Sequence, residues 1–200
     1  MSAIAAKDVK ELRDRTGAGM MACRDALAET DGDLDRAVEL LRAKGEASAA
    51  KRAGAETTEG VVQSYIHANN KIGAIVEVDC QTDFVARNEK FVEFARDVAL
   101  HIAAVPSILA ITEEEVPAED REREIRIATE QAADKPENVR ERIVEGKLGK
   151  WLDEVVLLRQ THVNEAKYEG QTIEQMRQAL IAETRENIVI RRYARFQVGG

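Results

Sequence analysis

Apolar residues near the start of the chain recur at steps of three and four, the spacing that gives a helix one buried face. Three such sets follow one another, and breaks at Thr16-Gly17 and at residues 31–33 separate them. The pattern therefore predicts three short helices around a small core, with Asp33 available as the N-cap of the third. The predicted core positions are Val9, Leu12, Met20, Cys23, Leu27, Leu34, Val38 and Leu41.

Residues 46–59 are small and polar, and this composition predicts a helical or frayed linker. A strand pattern follows the linker. Two runs rich in β-branched residues then flank the segment Ala-Asn-Asn-Lys at 68–71, and this arrangement predicts a β-hairpin. Asparagine suits such a turn because it tolerates positive φ. In the second run Ile72, Ala74, Val76 and Val78 should share one face, opposite Ile75, Glu77 and Asp79.

The rest of the chain returns to helical spacing and then ends in a strand pattern. The first of these helices should bury a stripe made of Phe91, Phe94, Ala95, Val98 and Ile102. The predicted helices run to about Pro106, over about 118–132, to about Leu152, and from a cap at Thr172 through Leu180. The segment ENIVIRRYARFQV alternates and predicts a strand. Its apolar face should carry Ile188, Ile190, Ala194, Phe196 and Val198, with Arg192 as the exception on that face.

This order of elements indicates an α+β protein in which helices cover an antiparallel sheet. We expect a three-helix domain with its linker at residues 1–54 and a core domain at residues 55–200. The 200 residues include 44% hydrophobic side chains, which is enough to bury a core in one or two domains.

Charge and hydropathy narrow the class of partner. The formal net charge is −8, and all of the acidic excess lies after Gly54. Nucleic-acid binding needs clustered lysine and arginine, so this balance argues against a direct nucleic-acid partner and favours a protein. No apolar run reaches the roughly 18 to 20 residues of a membrane span, and the amino terminus lacks the order of a secretory signal. We therefore expect a cytoplasmic protein with no membrane partner.

The two cysteines, Cys23 and Cys80, lack metal-ligand spacing, and we interpret them as reduced structural thiols. An enzyme is an alternative, because Cys80, His67 and either Asp79 or Asp83 could form a nucleophilic site. Nothing in the sequence supplies an oxyanion loop for such a site. A second alternative takes the three helices as a general adaptor and the core as an assembly scaffold.

The stretch CQTDFVARN at residues 80–88 joins a strand pattern to a helix pattern, with Phe84 at its centre. Phe84 could fill the core, or a tight turn could hold it out for another molecule. This stretch, with TGAGMMACRDAL, SYIHANNKIGAIVEVDC, HIAA and ENIVIRRYARF, resembles bacterial elongation factor Ts over nearly the whole chain. The resemblance implies a factor that releases GDP from elongation factor Tu without a catalytic residue, metal or cofactor of its own. It also implies a three-helix amino-terminal domain of the ubiquitin-associated type, followed by a core and dimerisation region.

The resemblance also implies roles for particular residues. In this family TDFV is the segment associated with displacing Mg²⁺ from the GTPase, and it corresponds here to Thr82, Asp83, Phe84 and Val85. Phe84 would be the wedge. Asp83 could act near the metal shell, or it could cap the helix that begins near Asn88.

Partner contact is implied at two further places. The TGAGMM segment provides Met20 and Met21, with Leu12 nearby, and the SYIH segment provides His67. Longer relatives carry a duplicated core, so the resemblance implies that a chain this short completes its core by forming a homodimer.

Overall fold

The computed structural model describes residues 4–16, 18–52 and 54–199, and it begins with three helices. They are α1 (Ala6–Thr16), α2 (Met20–Glu29) and α3 (Leu34–Arg52). Their buried core consists of Val9, Leu12, Cys23, Ala26, Leu27 and Ala37. The three predicted helices are therefore confirmed, and α3 continues through much of the segment expected to be a linker.

The break between α2 and α3 has a local cause. Asp31 and Gly32 have φ angles of 54° and 86°, which form a left-handed turn after α2. The carboxylate of Asp33 then accepts hydrogen bonds from the backbone N–H groups of Asp35 and Arg36, both at 3.0 Å. These bonds satisfy donors at the start of α3, so the predicted N-cap is confirmed.

Three strands form an antiparallel sheet: β1 (Glu59–Ile66), β2 (Ile72–Cys80) and β3 (Val189–Gln197), with β2 in the middle. The predicted hairpin is confirmed, since the N–H of His67 donates to the carbonyl of Ile72 at 2.9 Å and Asn70 takes a φ of 55°. Helices precede this hairpin and separate it from the last strand, which confirms the α+β class.

Alternation is kept on β2 but not on β3. The predicted inner set of β2 is confirmed at Ala74, Val76 and Val78, which are buried, whereas Ile72 at the start of the strand is only half-buried. The predicted apolar face of β3 is wrong, because burial ends partway along it: Ile188 and Ile190 are buried, whereas Phe196 and Val198 are 69% and 72% exposed. A period of two indicates which residues can share a face, but it does not indicate how far packing extends along a strand.

Two neighbouring arginines show where β3 departs from the simple pattern. Arg191 forms an ion pair with Asp79 at 2.7 Å, and Arg192 forms one with Glu77. Asp79 and Glu77 belong to the same side of β2, although strict alternation would send two successive side chains to opposite faces. These two pairs also give the arginines partners within the sheet.

Two helices follow β2, namely α4 (Asp83–Ala86) and α5 (Glu89–Ala104). The predicted stripe of α5 is confirmed by buried side chains at Phe91, Phe94, Ala95, Val98 and Ile102. The cap of α5 is Asn88, whose side-chain oxygen accepts the N–H of Lys90 at 2.9 Å. The alternative that Asp83 caps this helix is therefore wrong.

Four more helices lie between α5 and β3: α6 (Ala118–Gln131), α7 (Glu137–Val155), α8 (Glu165–Tyr168) and α9 (Ile173–Thr184). The helices predicted to end at Leu152 and Leu180 are confirmed, and each continues for about one further turn. Among the residues that the structure describes, no helix has both the length and the apolar character needed to cross a membrane.

The chain divides into two compact units. The first unit contains Met1–Gln63, Val76–Asp97 and Gln175–Tyr193, and the second contains Ser64–Ile75, Val98–Glu174 and Ala194–Gly200. The three amino-terminal helices and the TDFV segment therefore belong to the same unit.

Candidate functional site

A tight turn connects β2 to α4, and Thr82 fixes its geometry. Thr82 has extended backbone angles, and its hydroxyl oxygen accepts the N–H of Val85 at 3.4 Å. This bond makes Thr82 the N-cap of α4. The TDFV segment is thus an ordered corner in which a strand ends, a single helical turn forms and α5 begins.

Phe84 lies at the outside of this corner and is 81% exposed. The residues on either side of the turn are anchored, since Cys80 and Ala86 are buried. Burying a phenylalanine side chain contributes about 1.5 to 3 kcal/mol, and most of that free energy is not used within this chain. Phe84 is therefore not a core residue, and its ring is available to another molecule.

Asp83 forms an ion pair within its own turn. Its carboxylate forms an ion pair with Arg87 at 3.1 Å across one turn, and both side chains are largely exposed. Exposed pairs of this kind contribute little to stability, so Asp83 is not held rigidly by this contact.

The predicted methionine pair occupies the first two positions of α2. Met20 and Met21 are 57% and 59% exposed. The prediction that Met20 belongs to the core is wrong, because the shared core of the three helices begins one turn later, at Cys23. Leu12 is fully buried in that core and offers no surface of its own in this conformation. Gly17, part of the predicted contact loop, lies outside the described residues.

His67 belongs to the second unit, at the start of the hairpin connection, and its side chain is exposed. Its Nδ1 lies 3.2 Å from the hydroxyl of Tyr65, and the two rings are tilted at 46° with centroids 6.2 Å apart. The tyrosine therefore limits the orientations of the imidazole. The structure thus brings Thr82, Asp83, Phe84 and Val85 together in one turn and describes Met20, Met21 and His67 on other exposed segments.

Cys80 does not have the environment of a nucleophile. Its thiol is buried and donates to the carbonyl of Thr82 at 3.2 Å. Burial, with a smaller contribution from the carboxylate of Glu186, raises the pKa of Cys80 to about 11. Reactive cysteines have lowered pKa values because the thiolate is the attacking species, so this environment disfavours the enzyme alternative.

Sequence reasoning missed Glu186, whose carboxylate also contacts the turn at Gln81 and Thr82. The two segments are more than a hundred residues apart, with a separation of 104 between Thr82 and Glu186. Local periodicity carries no signal for such a contact.

Comparison with known proteins gives a consistent result. The family profile described as Elongation factor TS matches residues 7–169. A protein of Desulfotalea psychrophila named Elongation factor Ts is 53% identical over 199 residues, covering 98% of this chain and 99% of that protein. Proteins of the same name from Geobacter sulfurreducens and Trichodesmium erythraeum are 49% and 47% identical, covering 98% and 100% of this chain and 90% of each relative.

Proposed function

This chain belongs to the elongation factor Ts family, and we propose that it is a guanine-nucleotide exchange factor for elongation factor Tu. In this proposal it binds elongation factor Tu in its GDP form, displaces Mg²⁺ and promotes release of GDP so that GTP can bind. The observation that carries the proposal is the exposed ring of Phe84 on the ordered TDFV corner.

The mechanism needs only binding free energy. A GTPase holds its nucleotide through backbone amides, a lysine and a Mg²⁺ ion that bridges phosphate and protein oxygens. A protein that binds the nucleotide-free form more tightly than the GDP form must weaken GDP by the same factor, because the coupling is reciprocal. No acid, base or metal of the exchange factor takes part in such a step.

The free energy gained by burying one side chain shows why a single contact is not sufficient to release GDP. Transfer of the Phe84 ring into the partner contributes about 1.5 to 3 kcal/mol, which corresponds to about one to two decades in an equilibrium constant. Further weakening of GDP has to come from other contacts. We assign these to Met20 and Met21 at the start of α2 and to His67, with Leu12 supporting the methionine pair from within the core.

The organisation that we propose follows from these roles. Residues 1–54 act as a partner-binding module of the ubiquitin-associated type, and residues 55–200 act as core and dimerisation domain in the cytoplasm. Support for a homodimer comes from apolar side chains that the second unit leaves exposed on its strands and carboxyl-terminal residues, at Ile66, Ile75, Phe196 and Val198. Large exposed apolar patches mark interaction surfaces, and we assign these four side chains to the contact with the second copy. Sedimentation of the full chain tests this: a single species of monomer mass contradicts it.

The exchange activity is tested by measuring release of fluorescently labelled GDP from elongation factor Tu, with and without the full chain. We expect release to accelerate with increasing concentration of this protein and to saturate. Binding without acceleration would instead support the adaptor alternative, and the exchange proposal would then be wrong.

A further inference from the structure

We propose that Glu186 is a positioning residue that holds the TDFV corner in the form that presents Phe84, an inference that rests on the proposed function. Glu186 follows α9, and its carboxylate accepts three hydrogen bonds from the turn. One oxygen accepts the backbone N–H groups of Gln81 and Thr82, both at 3.0 Å, and the other accepts the Thr82 hydroxyl at 2.6 Å. One side chain thus fixes both peptide groups that enter the turn and the hydroxyl that caps α4.

The Thr82 hydroxyl connects this carboxylate to Phe84. Because Thr82 donates its hydroxyl proton to Glu186, the lone pairs of the same oxygen are free to accept the N–H of Val85. That bond caps α4, a helix of four residues. A single helical turn is unstable on its own because nucleation is costly, so the cap decides whether it forms. Phe84 is the second residue of α4, and the direction of its ring depends on that turn.

Glu186 is in turn held in place by the residues on either side of it, Arg185 and Asn187. We call these three residues the 185–187 joint. Arg185 adopts a left-handed φ of 62°, which ends α9 directly after Thr184. Its carbonyl accepts a hydrogen bond from Arg52 at 2.8 Å, and the side-chain amide of Asn187 donates to the carbonyl of Ala55 at 2.9 Å. The carboxylate therefore stands on fixed backbone, which reduces the entropy lost when it orders the turn.

A double-mutant cycle on GDP release tests the role through Phe84. We expect Glu186→Ala to slow stimulated release about tenfold, since it removes charge-assisted hydrogen bonds that preorganise the wedge. In the Phe84→Ala background the same substitution should change release by less than about twofold, because no ring remains to be positioned. If the two losses multiply, Glu186 acts independently of Phe84 and the proposal is wrong.

Hydrogen exchange of the protein alone gives a second readout that does not depend on elongation factor Tu. In Glu186→Ala the amides at residues 82–87 should exchange about tenfold faster, while amides in the middle of α5 keep their protection. Unchanged exchange at 82–87 overturns the positioning role. Absence of GDP release by the wild-type chain, in contrast, overturns the proposed function and leaves this readout to decide the role of Glu186.

Two further variants separate positioning from loss of charge or of fold. Glu183→Ala removes a nearby carboxylate at the end of α9, where Glu183 pairs with Lys90 at 2.6 Å. This variant should leave release within about twofold of wild type. Glu186→Gln keeps the side-chain volume and one carbonyl oxygen, so it should cause a smaller loss than Glu186→Ala. If Glu186→Ala fails to fold, Glu186→Gln takes its place in the cycle, and wild-type release and exchange in that variant would contradict the proposal.

Discussion

Phe84 and Phe91 lie seven residues apart in the sequence and have opposite environments. Phe91 opens the buried stripe of α5 and is 0% exposed, whereas Phe84 stands on the preceding corner with most of its ring in solvent. The side chains are chemically the same, so the difference comes from the backbone that carries them. A long helix turns its apolar residues toward a core, while a capped single turn can hold one away from it. Hydrophobicity alone therefore does not decide whether a ring stabilises its own chain or binds a partner.

The largest expected effect concerns the buried ring. Phe91→Ala should lower the free energy of unfolding by about 3 to 5 kcal/mol, because it removes apolar contacts and leaves a cavity. Chemical denaturation of both single variants measures the contrast. Phe84→Ala should stay within about 0.5 kcal/mol of wild type. Equal destabilisation by the two substitutions would show that the exposed ring also has a structural role.

The reverse contrast is expected for exchange. Phe84→Ala should slow stimulated GDP release by about one to two decades, since the partner no longer buries the ring. Stopped-flow release of labelled GDP measures it. Val163→Ala, which shortens another exposed apolar side chain, is the control and should retain wild-type release. A wild-type rate for Phe84→Ala would show that the exposed ring is not used in nucleotide exchange.

A smaller effect is expected at the start of α2. Replacing both Met20 and Met21 by alanine should weaken binding to elongation factor Tu by about tenfold. The effect is limited because each methionine that becomes buried at the interface loses about 1.5 to 2 kcal/mol of side-chain entropy, which offsets much of the gain from burial. Titration calorimetry measures the affinity, and circular dichroism checks that the three helices are kept. A loss as large as that caused by Phe84→Ala would mean that flexible side chains serve the interface as well as a ring on a rigid corner.

The smallest effect involves the other end of α5, where a polar residue is buried. The imidazole of His101 donates from Nε2 to Gln160 at 2.8 Å and accepts the N–H of Val163 at Nδ1, at 3.2 Å. Burial lowers the pKa of His101 from 6.5; the hydrogen bond to Gln160 opposes this shift in part, and the nearby His162 adds a smaller lowering. The unfolded chain then binds a proton more readily than the folded one. The contribution of His101 to the free energy of unfolding is therefore fully present above about pH 6.5, and it decreases as the pH falls below that value.

Denaturation curves at a series of pH values below neutrality measure this dependence. His101→Gln should flatten it, because the neutral amide cannot take up the proton. His67→Gln, at an exposed histidine, is the matched control and should keep the wild-type slope. An unchanged slope in His101→Gln would assign the dependence to other groups.

The sequence pattern predicted those features that depend on residues close together in the chain. The stripe of α5, the inner face of β2 and the cap at Asp33 depend on residues a few positions apart, and all three were correct. The exposure of Phe196 depends on how far packing reaches, and the contact of Glu186 with Thr82 depends on the tertiary fold. For Phe84 the residue pattern left both burial and exposure open, and the structure shows exposure. The family resemblance, and not the pattern, supplied its proposed role.

The 185–187 joint has a consequence for sequence variation. Two of its hydrogen bonds end on main-chain carbonyls, those of Arg185 and Ala55, so they are indifferent to the side chains at those two positions. The donors Arg52 and Asn187 have no such freedom, because their side chains make the bonds. Positions 55 and 185 can therefore vary among related sequences, and glycine or asparagine would fit the left-handed backbone of position 185. Arg52 and Asn187, in contrast, should change only together with the contacts that they make.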